Sequence, residues 1–217
     1  MERHRIGIVI PALNESKTIG SIVSKASQYG VPIVVDDGSI DNTGEIAKLA
    51  GAKVFRHESN LGYDQALNSG FAGAKKLGCE YVVTMDADGQ HDSTILAAFI
   101  KALDNGADVV VGYRDRLQRI AEHLFAWVAA FKWGIRDPLC GMKAYRIDMF
   151  LDLGHFDSYT SIGTELTLYA VRNGKHIAQV PVKTRDRIDA PRFGKRFSAN
   201  NRILRALWLG LFPPSLR

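Results

Sequence analysis

Four short runs rich in apolar, β-branched residues are separated by stretches whose apolar residues recur every three or four positions. The runs are residues 6–10 (IGIVI), 31–35 (VPIVV), 81–85 (YVVTM) and 108–112 (DVVVG), and residues 53–56 (KVFR) can form a short strand between the second and third of them. Between them, Ile19, Ile22, Val23 and Ala26, then Ile46, Ala47 and Ala50, then Leu67, Phe71 and Ala74, and finally residues 95–103 keep helical spacing. Runs that are apolar at every position suit strands buried on both faces, and short links between strand and helix suit parallel neighbours. The pattern predicts an α/β fold: a mostly parallel central sheet with helices on both faces. Beyond residue 112 the rhythm weakens. Leu124, Phe125, Trp127, Val128, Phe131 and Trp133 predict a helix with a broad apolar face within 115–135. A helix is expected at 164–172, a strand at 177–182 and a last helix at 203–212, stopped by Pro213 and Pro214.

Open sheets of this kind bind ligands beyond the carboxyl ends of their strands. Three polar segments follow directly on strand candidates and should gather on that rim: PALNE from Pro11, DDGS from Asp36 and DAD from Asp86. A glycine-rich dinucleotide loop would be expected after the first strand, but PALNESKTIG stands there, and no Walker A sequence occurs. A diphosphate at this rim would need another source of positive charge. Asp86 and Asp88, with Gln90 two positions on, offer an all-oxygen set suited to a hard cation such as Mg²⁺ or Mn²⁺. The plainer reading is a polar turn capping the helix that starts near Asp92 or Ser93. Asp36 and Asp37 read either as solvated loop carboxylates or as acceptors for a base or ribose. His57 and His91 read as ligands or as ordinary hydrogen-bonding residues.

The 217 residues, 46% hydrophobic, suit one sizeable domain with a short appendage. No apolar stretch approaches the length of a membrane span. The start, MERHRIGIVIPALNES, breaks its apolar run at Pro11, so no secretory signal is expected. Cys79 and Cys140 form no CxxC pair, and reduced thiols in the cytoplasm are the simplest expectation. Net charge is +5, and the basic excess is concentrated between residues 184 and 205. Such a segment suits a phosphate-bearing or anionic partner. No nucleic-acid partner is expected, because no recognised module or aromatic platform accompanies it.

In this order, IVIPALNES, VVDDGSIDNTGEIA, NLGYDQALNSGFAGA, VVTMDADGQHD, DVVVGYR, DPLCGMKAYR and VPVKTRDR resemble the family 2 glycosyltransferases of the GT-A fold. The likeness is strongest to the branch that makes polyprenyl-phosphate (dolichol-phosphate) sugars. It spans residues 5 to about 195. The resemblance implies a catalytic domain over 1–197 and an amphipathic helix or tail over 198–217. It places Pro11, Asn14, Glu15 and Asp37 around the nucleotide of a nucleotide diphospho-sugar donor. Asp86 would lie near the ribose and donor sugar, and Asp86, Asp88 and Gln90 would hold Mg²⁺ or Mn²⁺ on the diphosphate. Arg114 and Arg119 would meet an acceptor phosphate, and Arg185, Arg187 and Arg192 would close over phosphates.

On this resemblance the reaction inverts the anomeric carbon, and the metal offsets charge on the departing diphosphate. A polyprenyl phosphate is already anionic and needs positioning by arginines rather than a strong base. A sugar hydroxyl on a glycan or lipid-linked precursor would need a base, for which Glu165 is the candidate, with Asp137 as a weaker alternative. Glu165 reads equally as a first-turn glutamate favoured by the helix dipole. Other readings are a nucleotidyltransferase, disfavoured by PALNES, and a catalytically silent domain, disfavoured by the intact DAD motif. The ending RILRALWLGLF offers three readings: contact with a membrane interface on its cytoplasmic face, packing onto the domain, or a homo-oligomer contact.

Overall fold

The computed structural model describes residues 2–89, 93–183 and 196–214, with side chains in the last segment from 199 onward. Its strands are β1 (Ile6–Ala12), β2 (Val31–Asp36), β3 (Lys53–Arg56), β4 (Tyr81–Thr84), β5 (Val109–Arg114), β6 (Lys143–Arg146) and β7 (Ile177–Val182). Its helices are α1 (Ile19–Ala26), α2 (Thr43–Leu49), α3 (Tyr63–Lys76), α4 (Ile95–Asp104), α5 (Ile120–Trp133), α6 (Ile147–Leu153), α7 (Glu165–Arg172) and α8 (Arg196–Leu211).

Among the described residues, the strands form one seven-stranded sheet in the order β3-β2-β1-β4-β6-β5-β7. All pairings are parallel except those of β6, which runs antiparallel to both β4 and β5. The expected mostly parallel sheet is therefore present, with helices on both faces. Along β1, Ile6, Ile8, Ile10 and Ala12 enter the core under α1, α2 and α4, while Val9 enters the core under α3, α5, α6, α7 and α8. This period-two division is why the strand sequence is apolar at every position. Helix α3 approaches the sheet closely at Gly70, where an added Cβ would fall 2.2 Å from Val9 Cγ1. Phe71, Tyr145 and Phe156 pack edge-on or tilted at centroid distances of 4.8–5.9 Å beneath α3. Such pairs add about 0.5–1.5 kcal/mol each beyond their burial.

β6 and α6 are absent from the sequence reading. The strand reads KAYR, and its Lys143 is only 3% exposed, so a charged residue occupies a core position. The final helix begins at Arg196, earlier than its apolar residues suggest, and Ile203, Ala206 and Leu207 join the core. The face of α5 is also divided: Phe125 and Ala129 are buried, but Ile120, Trp127 and Phe131 are exposed. Cys79 and Cys140 are free and buried. Among the described residues, no helix is long and apolar enough to cross a membrane.

Because β6 is reversed, its first residue rather than its last lies beside the end of β4, with Lys143 opposite Thr84. The rim thus collects the segments after β1, β2, β4 and β5 together with the approach to β6.

Candidate active site

The first rim segment leaves β1 through Asn14, which adopts the left-handed conformation at φ 52°. Asparagine tolerates this backbone better than most residues. The Asn14 N–H donates to Ser39 Oγ at 2.9 Å, and Asn14 Oδ1 accepts from the Ile40 N–H at 2.9 Å. The Glu15 N–H donates to Thr43 Oγ1 at 2.7 Å. PALNE and DDGSIDNT are therefore laced into one wall.

Asp37 is 4% exposed. Its carboxylate accepts from the N–H groups of Leu61 and Gly62, each at 2.9 Å, and pairs with His57 Nδ1 at 2.7 Å. A carboxylate has about four acceptor positions, so roughly one is left for a ligand. The other ring nitrogen of His57 meets Ser69 Oγ at 2.8 Å, which makes His57 a hydrogen-bonding strut rather than a ligand. Asp36 is fully buried, accepts from the Ser39 N–H at 2.9 Å, and places Oδ2 3.7 Å from Arg56 Nε.

At the end of β4, Thr84 Oγ1 donates to the Gly141 carbonyl at 2.6 Å. This bond draws the DPLCG turn against Asp86. An added Cβ at Gly141 would fall 2.4 Å from Asp86 Oδ2, so only glycine leaves that carboxylate its seat. Thr18 Oγ1 donates to the Ala87 carbonyl at 2.7 Å and ties the same turn to the first wall. Asp86 and Asp88 are both partly exposed at the rim. Gln90 and His91 lie outside the described residues, as do Arg185, Arg187 and Arg192.

Among the described residues, no group of three or more His, Cys, Asp or Glu forms a metal cage. Two rim carboxylates nevertheless fit a Mg²⁺- or Mn²⁺-type ion. Such an ion is usually held by one or two carboxylates and completed by substrate phosphates and water.

Beyond β5 lies a charge ladder. Arg114 donates to both oxygens of Asp137, from Nε at 2.7 Å and from a terminal nitrogen at 3.0 Å. Glu122 lies 3.6 Å from the same guanidinium and accepts from Arg119 at 2.9 Å and from the Gln118 N–H at 3.0 Å. Burial opposes the charge on Arg114, but the bonds and charge of Asp137 and the charge of Glu122 outweigh it, and the pKa is raised. Arg114 is thus held cationic, and the side chains of Arg114 and Arg119 are 19% and 21% exposed, respectively. Neither Glu122 nor Asp137 stood out in the sequence as a positioner of arginines, because the pairing is made across the fold.

Glu165 is 4% exposed. It accepts from the Ser158 N–H at 2.6 Å and from Ser158 Oγ at 3.0 Å, and it meets His155 Nε2 at 2.8 Å. Both of its oxygens tie down the 155–165 loop, in which Thr160 and Ile162 have positive φ. Under this loop, Lys143 Nζ donates to the Gly163 carbonyl at 2.6 Å. Burial lowers the Lys143 pKa to about 8. Burial, reinforced by the Asp157 charge, raises Asp64 to about 6, and Asp64 Oδ1 has no hydrogen-bond partner. Asp64 reads in sequence as a first-turn helix residue, so nothing local reveals its burial.

Residues 7–123 match the model of glycosyl transferase family 2. The chain belongs to that family, and it is a glycosyltransferase with the GT-A fold. It is 31% identical to a dolichyl-phosphate hexose transferase of Haloferax volcanii, over 84% of this chain and 83% of that one. It is 30% identical to the polyprenol monophosphomannose synthase of Mycolicibacterium smegmatis, over 83% and 77% of the two chains. Among solved structures, it resembles glucosyl-3-phosphoglycerate synthase from Mycobacterium tuberculosis in complex with Mn²⁺ and UDP-glucose. That match has a TM-score of 0.76 at 26% identity and covers 97% of this chain and 80% of that one.

Two outcomes follow from this geometry. Gly141→Ala should displace Asp86 and weaken nucleoside-diphosphate binding in calorimetry at least about tenfold, with little change in melting temperature. Unchanged binding would mean that Asp86 does not serve the donor. The second outcome concerns Asp64, whose pKa rises from 3.8 to about 6 on folding. Its stabilising contribution is complete below the lower value and is lost as pH rises through the upper one. Asp64→Asn should therefore gain stability relative to the native protein across that window, by at most about 3 kcal/mol. Urea denaturation below, within and above the window checks this, and a difference independent of pH contradicts it.

Proposed function

We propose that the protein transfers a sugar, with inversion, from a UDP- or GDP-linked donor to a polyprenyl phosphate, in a Mg²⁺- or Mn²⁺-dependent reaction. The observation that carries the acceptor assignment is the pair of held arginines, Arg114 and Arg119, beside the rim that carries Asp86 and Asp88. An acceptor phosphate requires fixed cations and no proton removal, and this ladder supplies two guanidinium groups held in place by Asp137 and Glu122. Glu165, the candidate base for a hydroxyl acceptor, instead has both oxygens engaged by its own loop. The dolichyl-phosphate and polyprenol relatives support the same acceptor class.

In this reading Pro11, Asn14, Glu15 and Asp37 form the nucleotide wall, and Asp86 meets the ribose and donor sugar. Asp86 and Asp88, with Gln90 beyond the described residues, would hold the cation. When bound, that cation neutralises the diphosphate as it leaves. The chain's own part is to orient. The two walls, joined through Thr18 and Thr84, fix the donor, while Arg114 and Arg119 hold a phosphate oxygen in line with the anomeric carbon. Arg185, Arg187 and Arg192 would close over the phosphates. A cytoplasmic membrane face is the natural place for such an acceptor.

Release of nucleoside diphosphate from a panel of UDP- and GDP-sugars, with and without polyprenyl phosphate, tests the assignment. Lipid-stimulated release that falls at least about 100-fold in Asp88→Ala is the expected result. Release stimulated only by a glycan hydroxyl would replace this reading with one in which Glu165 acts as base. Donor binding without any turnover would indicate a silent domain.

A further inference from the structure

Helix α5 carries a second apolar stripe besides the one it buries. Ile120, Leu124, Trp127 and Phe131 recur at helical spacing on its outer side, and Trp127 and Phe131 are 69% and 88% exposed. Helix α8 repeats the arrangement with Leu204 and Trp208, continued by Phe212 just past its end. The rings of Trp208 and Phe212 lie tilted against each other with centroids 4.6 Å apart, and Trp208 remains 62% exposed. The two helices pack against each other through their inner faces, where Val128, Trp133, Leu207 and Leu211 share one core. Large exposed apolar side chains at this density on neighbouring helices mark an interaction surface rather than scattered exposure.

The charge around these stripes selects the occupant. Helix α8 contains no acidic residue, and Arg202 and Arg205 lie on its exposed positions. On α5 the one acid, Glu122, is buried against Arg119, while His123 and Lys132 are exposed. Tryptophan and phenylalanine flanked by cations suit the boundary between acyl chains and anionic headgroups. A two-fold contact between copies of the chain would set these like charges against one another. The stripe also continues into the arginine ladder, because α5 starts directly after Arg119.

We propose that the outer faces of α5 and α8 dock the enzyme on an anionic lipid bilayer. This surface rests on the lipid-phosphate reading for its purpose and gives the acceptor a short path. A phosphate headgroup at the membrane plane would meet Arg119 and Arg114 at the foot of α5 without leaving the bilayer.

Flotation of the native protein with phosphatidylcholine vesicles, with and without phosphatidylglycerol, tests the surface. Tryptophan emission is recorded in parallel. Binding that needs the anionic lipid, weakens with salt and shifts emission to the blue is expected. The double variants Trp127→Ser/Phe131→Ser and Trp208→Ser/Phe212→Ser should each weaken it at least about tenfold, with unchanged melting temperature. Absence of vesicle binding by the native protein would overturn the proposal. So would equal binding by the variants, or a native dimer that the variants dissociate. Turnover of a water-soluble, short-chain prenyl phosphate separates this proposal from the reading beneath it. If the native protein binds vesicles but never turns over that acceptor, the lipid-phosphate reading fails and the docking surface stands. If turnover is retained by all three proteins but none binds vesicles, only the docking surface fails.

Discussion

The reversed strand β6 is the constraint on which the site depends. If β6 ran parallel to β4, its approach would lie at the opposite rim, and the DPLCG turn would never reach the DAD motif. Running antiparallel, it sets Lys143 opposite Thr84, and Thr84 Oγ1 holds the Gly141 carbonyl at 2.6 Å. The same turn brings Asp137 to Arg114 on the next strand. One hydroxyl-to-carbonyl bond therefore links the end of β4, where the donor would sit, to the arginines that would meet the acceptor.

Much of the rim's charge is committed to holding the rim itself. Asp37 is bonded by two backbone N–H groups and His57, Asp137 by a guanidinium, and Glu165 by Ser158 and His155. A buried carboxylate without such partners would cost several kcal/mol, so these bonds allow polar groups to be gathered at the edge of an apolar sheet. They also fix the walls before any ligand arrives, which reduces the reorganisation left for the reaction.

The fold's first half was legible because β1, β2 and β4 are largely buried and announce themselves as apolar runs, while the half-exposed β3 (KVFR) was placed by its position between two helical stretches. Residues 53–56 and 177–182 were placed with the bounds the structure shows. β6 escaped because KAYR has no β-branched residue and lies where the alternation of strand and helix weakens, whereas KVFR, with the same charged ends, sits between two clear helical stretches. Lys143 is held in the core by its bond to the Gly163 carbonyl and by the nearby charges of Asp137, Asp157 and Asp64. The rim carboxylates could be named from their positions after strands. Their partners could not: Asp137 and Arg114 are 23 positions apart, and Thr18 and Ala87 are 69 apart. Spacing in sequence carries no signal for such contacts. The outer stripe of α5 was visible as apolar periodicity, but which half of it faces the core depends on α8 packing against it.

The most direct test of the central claim is the linkage and anomeric configuration of the product, read by proton and phosphorus NMR. The sample would come from an α-linked nucleotide sugar and a polyprenyl phosphate. In-line attack by the held phosphate predicts a sugar phosphodiester with the β configuration. An α-linked product, or a sugar joined through a hydroxyl rather than the phosphate, would contradict it.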